Sequence, residues 1–207
     1  MISQVEAQRS KQLQDDPESL WKRVTTVASD AQDLAVLKDD QYSHIAAGLV
    51  LFLLPEPQKA LAECHKHLTP GGTLTASCWP HSEWQDLMKL LGKVCPDKPP
   101  YSVPEAWSTI ESVRGELEEA SFTDIYADQK EIAVEYQDPR QVCDWFMTNI
   151  PYFVRNTADL GAEKKQEVHD AMLHELTEKN GQGSGRMVGA CIVATGKKGN
   201  TRTTEVE

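Results

Sequence analysis

Side chains that could carry out chemistry are scattered through this sequence, and few fall at spacings that make a site. His65 and His67 diverge on a helix, so they cannot hold a metal ion from one face. His169 and His174 are five residues apart, which is also not a metal-binding pair. No Gly-x-Ser-x-Gly elbow and no Ser/His/Asp or Cys/His nucleophile pattern is present. His81 is a candidate general base for a substrate hydroxyl, but the pattern predicts no metal site and assigns no catalytic residue.

The composition narrows the classes of partner. The 207 residues include 21 Lys and Arg against 32 Asp and Glu, which gives a formal net charge of −11, and 40% are hydrophobic. This acidic balance opposes binding to nucleic-acid phosphates and to an anionic membrane surface. No apolar run reaches the roughly 20 residues that span a bilayer. The five cysteines are scattered and the N-terminus lacks a secretory signal, so we expect reduced thiols and a cytoplasmic location.

The elements that must position any site follow an α/β pattern. Residues 43–51 form a continuous apolar run, which predicts a strand buried on both faces of a parallel sheet. Residues 58–68 carry apolar side chains at helical spacing. The turn at 69–72 (TPGG) then leads into a strand at 73–79. A strand, a helix and a strand in this order form a parallel βαβ unit.

The remaining segments extend the same pattern in both directions. A short strand is predicted where β-branched residues alternate, at 21–28. Further helices are predicted at 84–94, 105–120, 138–149 and 162–180, and further strands at 122–136 and 187–195. We expect one domain over residues 1–198, followed by a disordered polar tail at 199–207.

The stretch from 42 to 79 resembles the second half of a class I S-adenosylmethionine-dependent methyltransferase. Its proline pair at 55–57, the run Ala60-Leu61-Ala62-Glu63 and the run Leu68-Thr69-Pro70-Gly71-Gly72 match the family's helix and L-x-P-G-G turn. Residues 29–34 (SDAQDL) are similar to the family's D-A-x-x-L motif. The layout is most similar to the small-molecule methyltransferases of fungal secondary metabolism.

This resemblance implies a partial Rossmann-like α/β fold, with a mostly parallel sheet and an antiparallel C-terminal strand. The family begins with a Gly-rich cofactor loop and an acidic residue at the end of its second strand, and this sequence contains neither. We therefore expect a domain that lacks the first two strands, either through a late start in the gene model or through a real truncation. Strand edges uncovered in this way favour a homodimer.

The resemblance also implies positions in the cofactor site. Asp30 and Ala31 match the residues that contact adenine, where the carboxylate accepts a hydrogen bond from the exocyclic amine. For Asp30 the alternative is a turn residue that caps its own loop. Gly48 falls where the family often places an Asn beneath the cofactor, and the alternative is close packing at a strand end.

Several aromatic residues lie in segments that, by resemblance, build a substrate pocket. The candidates for substrate binding are Trp79, Tyr101, Trp107 and Tyr152. The alternative for each of them is an ordinary place in the hydrophobic core.

Three functions stay open at this point. The resemblance favours an S-adenosylmethionine-dependent methyltransferase that acts on a small molecule, in secondary metabolism. A second possibility is a catalytically inactive relative that binds a partner or a pathway intermediate, and the missing Gly-rich loop supports it. A third is a scaffold turned to chemistry other than methyl transfer, since a fold does not fix a function.

Overall fold

Four strands form one mixed sheet in the computed structural model, which describes residues 2–200. They are β1 (Tyr42–Gly48), β2 (Leu68–Cys78), β3 (Phe122–Tyr136) and β4 (Gly185–Lys198). The order across the sheet is β1-β2-β4-β3. The β1–β2 pair is parallel, and β4 is antiparallel to both of its neighbours. Three strands therefore point the same way and the C-terminal strand opposes them, which confirms the expected α/β fold class.

Within residues 2–200 the chain forms seven α-helices. They are α1 (Ile2–Asp15), α2 (Pro57–His67), α3 (Glu83–Val94), α4 (Ile110–Glu119), α5 (Pro139–Asn149), α6 (Pro151–Thr157) and α7 (Ala162–Asn180). The side chain of Ser82 caps α3, and Thr109 and Ser112 form a reciprocal capping box on α4. Within residues 2–200, no helix combines the length and apolar composition needed to cross a bilayer.

Two apolar clusters hold the molecule together. The first packs α2 and α4 against β2 and β4, around Leu61, Leu74 and Leu117. The second packs the helices α3, α5, α6 and α7 against β3 and β4, with Leu91 fully buried among them. Trp79, the residue that follows β2, packs against both clusters. The carboxyl end of β2 therefore lies where the two clusters meet.

The prediction of a strand at 21–28 is wrong. Leu20–Arg23 forms a short 3-10 helix, and residues 24–29 after it belong to no helix or strand. Alternating β-branched residues fit a strand, but a strand forms only where a neighbour takes its hydrogen bonds. In the part of the chain that the structure describes, no strand lies beside this segment.

The predicted burial of the apolar run 43–51 is also wrong. β1 stops at Gly48, a 3-10 helix follows at Leu51–Leu53, and of the strand residues only Ala47 is buried. Within residues 2–200, β1 pairs with β2 alone and is an edge strand. An edge position leaves apolar side chains uncovered, whereas the sequence pattern assumes helices on both faces.

Two smaller differences concern the helices. The helix predicted at 105–120 is a 3-10 helix at Glu105–Trp107 followed by α4, because Thr109 begins a new helix with its own cap. α6 was not predicted; it begins at Pro151, directly after α5, and proline is favoured at the first position of a helix. Residues 201–207 of the predicted disordered tail lie outside the described residues.

Candidate cofactor and substrate site

The carboxyl ends of β1 and β2 lie side by side and define the candidate site. Gly48 ends β1 and is paired with Ser77 of β2. The next residue, Leu49, has a φ of 55°, a left-handed conformation that is uncommon for a bulky side chain. Its N–H donates to Ser77 Oγ at 3.1 Å, which helps to hold this turn. Ligands of open α/β sheets bind outside the carboxyl ends of the strands.

Open space lies on the side of Gly48 where a side chain would be. A Cβ atom placed on this residue would have no heavy atom within 4 Å. The alternative of close packing at the strand end is therefore wrong. The space admits a ligand beside the backbone of Gly48, although a glycine offers that ligand no side-chain contact.

Asp30 begins a tight turn that its own side chain stabilises. The Asp33 N–H donates to the Asp30 carbonyl at 3.0 Å, and the Gln32 N–H donates to Asp30 Oδ1 at 2.9 Å. The turn role considered for Asp30 is thus confirmed. Its Oδ2 has only a 3.4 Å contact with Gln32 Nε2 and is exposed, so this oxygen remains accessible to a ligand. Ala31 is half-buried and packs against the first apolar cluster.

An apolar cavity of about 460 Å³ lies beside these strand ends. Leu49 and Trp79, the first residues after β1 and β2, both line it, and α3, α5, α6, β3 and β4 complete the wall. Every side chain described in this wall is uncharged. A volume of this size suits a small organic ligand that buries most of its surface.

Aromatic rings at right angles shape the cavity. Trp79 meets Trp84 edge to face with ring centres 5.2 Å apart, and Tyr101 meets Tyr152 in the same manner at 5.3 Å. The buried Gln85 links these groups, because its Nε2 donates to the Trp79 carbonyl at 3.2 Å and to the Tyr101 hydroxyl at 3.4 Å. Such paired contacts hold the rings in place before any ligand arrives.

The two tyrosine hydroxyls differ in their hydrogen bonds. Tyr152 donates to the Pro99 carbonyl at 2.8 Å, and burial raises the pKa of this phenol. The Tyr101 hydroxyl accepts from Gln85, and within residues 2–200 its own proton has no acceptor. The hydroxyl proton of Tyr101 is therefore available to a ligand that reaches it.

The structure brings together three of the four aromatic residues predicted to bind substrate. Trp79, Tyr101 and Tyr152 line the cavity. Trp107 does not, because it is fully buried in the first apolar cluster, where its carbonyl contacts Cys78 Sγ at 3.4 Å. The predicted role of Trp107 in substrate binding is therefore wrong, and its alternative, a place in the hydrophobic core, is correct.

His81 also lies away from the apolar cavity. It lines a separate polar depression together with Glu83 and Asp86, and its carbonyl accepts the Ala190 N–H at 2.9 Å. The structure therefore does not place His81 where it would act as a base on a ligand in the cavity.

The sequence missed Trp145 and Met88 as wall residues. Trp145 lies on α5 with 53% of its surface exposed, which is unusual for so large an apolar side chain. The adjacent aromatic pair Trp145-Phe146, on a helix predicted next to the substrate segment, was the available signal. Met88 looks like any core residue of an amphipathic helix.

The buried cysteines offer no nucleophile at this site. Burial raises the pKa of Cys64 to about 11 and the pKa values of Cys78 and Cys143 to about 12, so these thiols stay protonated near neutral pH. In residues 2–200, no cluster of three or more His, Cys, Asp and Glu side chains could hold a metal ion.

Comparison with known proteins identifies the family. Residues 2–76 match the methyltransferase domain family. Methyltransferase ucsB of Acremonium sp is 32% identical over 196 residues, which cover 95% of this chain and 68% of that protein. The chain belongs to the class I S-adenosylmethionine-dependent methyltransferases. Methyltransferase tpcH of Aspergillus fumigatus is 26% identical over 191 residues. The match covers 86% of the present chain and 66% of tpcH.

Solved structures agree on the fold. A Bacillus halodurans protein assigned as a methyltransferase has a TM-score of 0.51 at 18% identity, with 86% of this methyltransferase chain and 79% of that one covered. The chain spans about two thirds of the length of the two curated relatives named above.

Proposed function

We propose that this chain carries out S-adenosylmethionine-dependent methyl transfer to a small, largely apolar molecule of fungal secondary metabolism. The observation that carries the proposal is the continuity between Gly48 and the cavity. Open space lies at Gly48, and the residue after it, Leu49, already lines the apolar wall. A cofactor at the strand end and an acceptor in the cavity would therefore be neighbours. The fungal origin of the relatives supports the biological setting.

The Asp30 turn and the open space at Gly48 suit the adenine end of the cofactor. Asp30 Oδ2 is exposed and able to accept a hydrogen bond from an exocyclic amine, while Oδ1 keeps the turn in shape. Gly48 leaves room that any larger side chain would fill. When bound, S-adenosylmethionine supplies an activated methyl group on a sulfonium sulfur. The protein's part at this end is to recognise and orient the ligand.

The cavity residues would select and orient the acceptor. Their uncharged aromatic and aliphatic wall favours a flat, apolar molecule. The Tyr101 hydroxyl can donate a hydrogen bond to one oxygen of that molecule and so orient it. None of the described side chains in this wall is a carboxylate or an imidazole, so acceptors that lose a proton readily, such as phenols, suit it best.

Calorimetric titration with S-adenosylhomocysteine tests the proposal. We expect micromolar binding by the wild-type chain and about tenfold weaker binding by Asp30→Asn, the effect of one hydrogen bond to a charged group. This substitution keeps the Oδ1 cap of the turn but replaces the accepting Oδ2 with a donating amide. Asp39→Ala, at an exposed carboxylate outside the turn, is the matched control and should bind like the wild type.

Two results would count against the proposal. Equal affinity of Asp30→Asn and the wild type would remove Asp30 from the site. A folded wild-type chain that does not bind S-adenosylhomocysteine would favour the inactive, partner-binding alternative.

A further inference from the structure

The segment that carries Asp30 and Ala31 has little structure of its own. Residues 29–41 belong to neither an α-helix nor the sheet, and their one regular feature is a 3-10 helix at Ala35–Leu37. No residue of this segment is fully buried. Apolar packing alone is therefore a weak hold on the turn, and its position must depend on hydrogen bonds to neighbouring elements.

Those hydrogen bonds lead to α2 and the residue before it. Gln32 Oε1 accepts the Glu56 N–H at 2.8 Å, at the start of the helix. Near its end, His67 Nδ1 donates to the Asp40 carbonyl at 2.9 Å, since a carbonyl can only accept. Between these two contacts, the Leu34 N–H donates to a carboxylate oxygen of Glu63 at 3.0 Å. α2 thus supports the segment along its whole length.

The Glu63 contact differs from the other two because it uses a charged side chain. Its Oε2 accepts the Leu34 N–H, while Lys66 Nζ lies 3.3 Å from Oε1 and His67 Nε2 lies 3.7 Å from Oε2. Only 20% of the Glu63 side chain is exposed, so water competes little for the carboxylate. A hydrogen bond to an ionised and partly buried acceptor is stronger than one between neutral groups.

Leu34 directly follows the Asp30–Asp33 turn, so its N–H fixes the point where the chain leaves that turn. We propose that Glu63 is a positioning residue for the adenine site. By holding Leu34, it sets the direction in which Asp30 Oδ2 and the backbone of Ala31 face the ligand. The inference rests on the proposed function, and it adds a residue that would not touch the cofactor.

The test compares two ligands that differ at the group that Asp30 would recognise. S-adenosylhomocysteine carries the exocyclic amine, and S-inosylhomocysteine carries a carbonyl in its place. We expect Glu63→Ala to weaken binding of the first about tenfold and to leave binding of the second nearly unchanged, so that the preference between them collapses. A substitution that merely loosened the protein would weaken both ligands equally.

Two variants complete the experiment. Glu63→Gln retains an oxygen that can accept the Leu34 N–H, and we expect it to recover most of the preference. Glu56→Ala removes a carboxylate next to the same helix, and it leaves the backbone contact to Gln32 intact. Among residues 2–200, the Glu56 side chain pairs with Lys59 alone. This control should keep the wild-type preference. Melting temperatures show whether each variant folds, and the conservative Gln variant still tests the role if the Ala variant does not.

The outcomes separate this role from the proposed function. An unchanged preference in a folded Glu63→Ala would overturn the positioning role while leaving the cofactor site in place. Failure of Glu63→Gln to recover any preference would also overturn it. A wild-type chain that binds neither ligand would contradict the proposed function and, with it, the role of Glu63.

Discussion

At the scale of single residues, a substitution at Gly48 should change ligand affinity without lowering stability. A β-branched side chain suits a strand, and the absence of atoms within 4 Å of a Cβ at Gly48 leaves room for one. We therefore expect Gly48→Val to fold with an unchanged or slightly higher melting temperature and to bind S-adenosylhomocysteine at least tenfold more weakly, about 1.4 kcal/mol. Calorimetry and thermal unfolding measure the two effects.

Gly115 provides the control for that substitution. It lies on the exposed face of α4, where a Cβ would also meet nothing within 4 Å. Gly115→Ala should stabilise the helix by about 1 kcal/mol and leave binding unchanged. Wild-type affinity in Gly48→Val would show that the open space is not part of the cofactor site.

The two cavity tyrosines should respond differently to loss of their hydroxyls. Tyr152→Phe removes a 2.8 Å hydrogen bond to the Pro99 carbonyl, and we expect the free energy of unfolding to fall by about 1 kcal/mol. Tyr101→Phe removes only a 3.4 Å contact with Gln85 and should change stability less. Urea unfolding of both variants compares them, and a larger loss for Tyr101→Phe would contradict these assignments.

At the scale of elements, the cavity depends on how closely α3 approaches β4. A Cβ on Gly189 would lie 2.5 Å from Trp84 Cη2 and from Ser82 Cβ, so only glycine allows this contact. We expect Gly189→Ala to displace Trp84 from the cavity wall and to destabilise the protein by about 1–3 kcal/mol. Gly183→Ala, on an exposed loop with open space, should have little effect. Thermal unfolding with tryptophan fluorescence detects both changes, and a native-like spectrum for Gly189→Ala would contradict the expected displacement.

Some of the secondary-structure elements could be predicted from the sequence and others could not. The βαβ unit around α2 was predicted because its helix has regular apolar spacing and residues 69–72 need glycine. The turn predicted at 69–72 is not separate, because the structure includes these residues in an irregular first part of β2. A Cβ at Gly72 would meet the Thr69 carbonyl at 2.8 Å. The strand prediction at 21–28 is wrong because strand formation depends on a pairing partner, and local residue spacing does not reveal that partner.

The candidate site was predictable only in part, for a similar reason. Trp79 and Tyr152 lie in segments that the family resemblance marks for substrate, and both line the cavity. The hydrogen bond between Leu34 and Glu63 joins positions 29 residues apart in the sequence. No local sequence pattern predicts this hydrogen bond, because it forms only when the turn and α2 have packed together.

At the scale of the whole molecule, the two apolar clusters meet at the carboxyl end of β2. Ala31 of the Asp30 turn packs against the first apolar cluster, and residues of the second cluster form most of the wall of the apolar cavity. Trp79 packs against both clusters. The homodimer expected from free strand edges stays a prediction, and sedimentation velocity over a range of concentrations would test it: a monomer throughout would contradict it.

The central claim is that the Asp30 turn and the end of β1 form one cofactor site. Amide hydrogen exchange with and without saturating S-adenosylhomocysteine tests it most directly, because both segments are reported in one experiment. We predict slower exchange together at residues 29–35 and 47–53 on addition of the ligand. Protection confined to one of these segments, or found only elsewhere in the chain, would contradict the account.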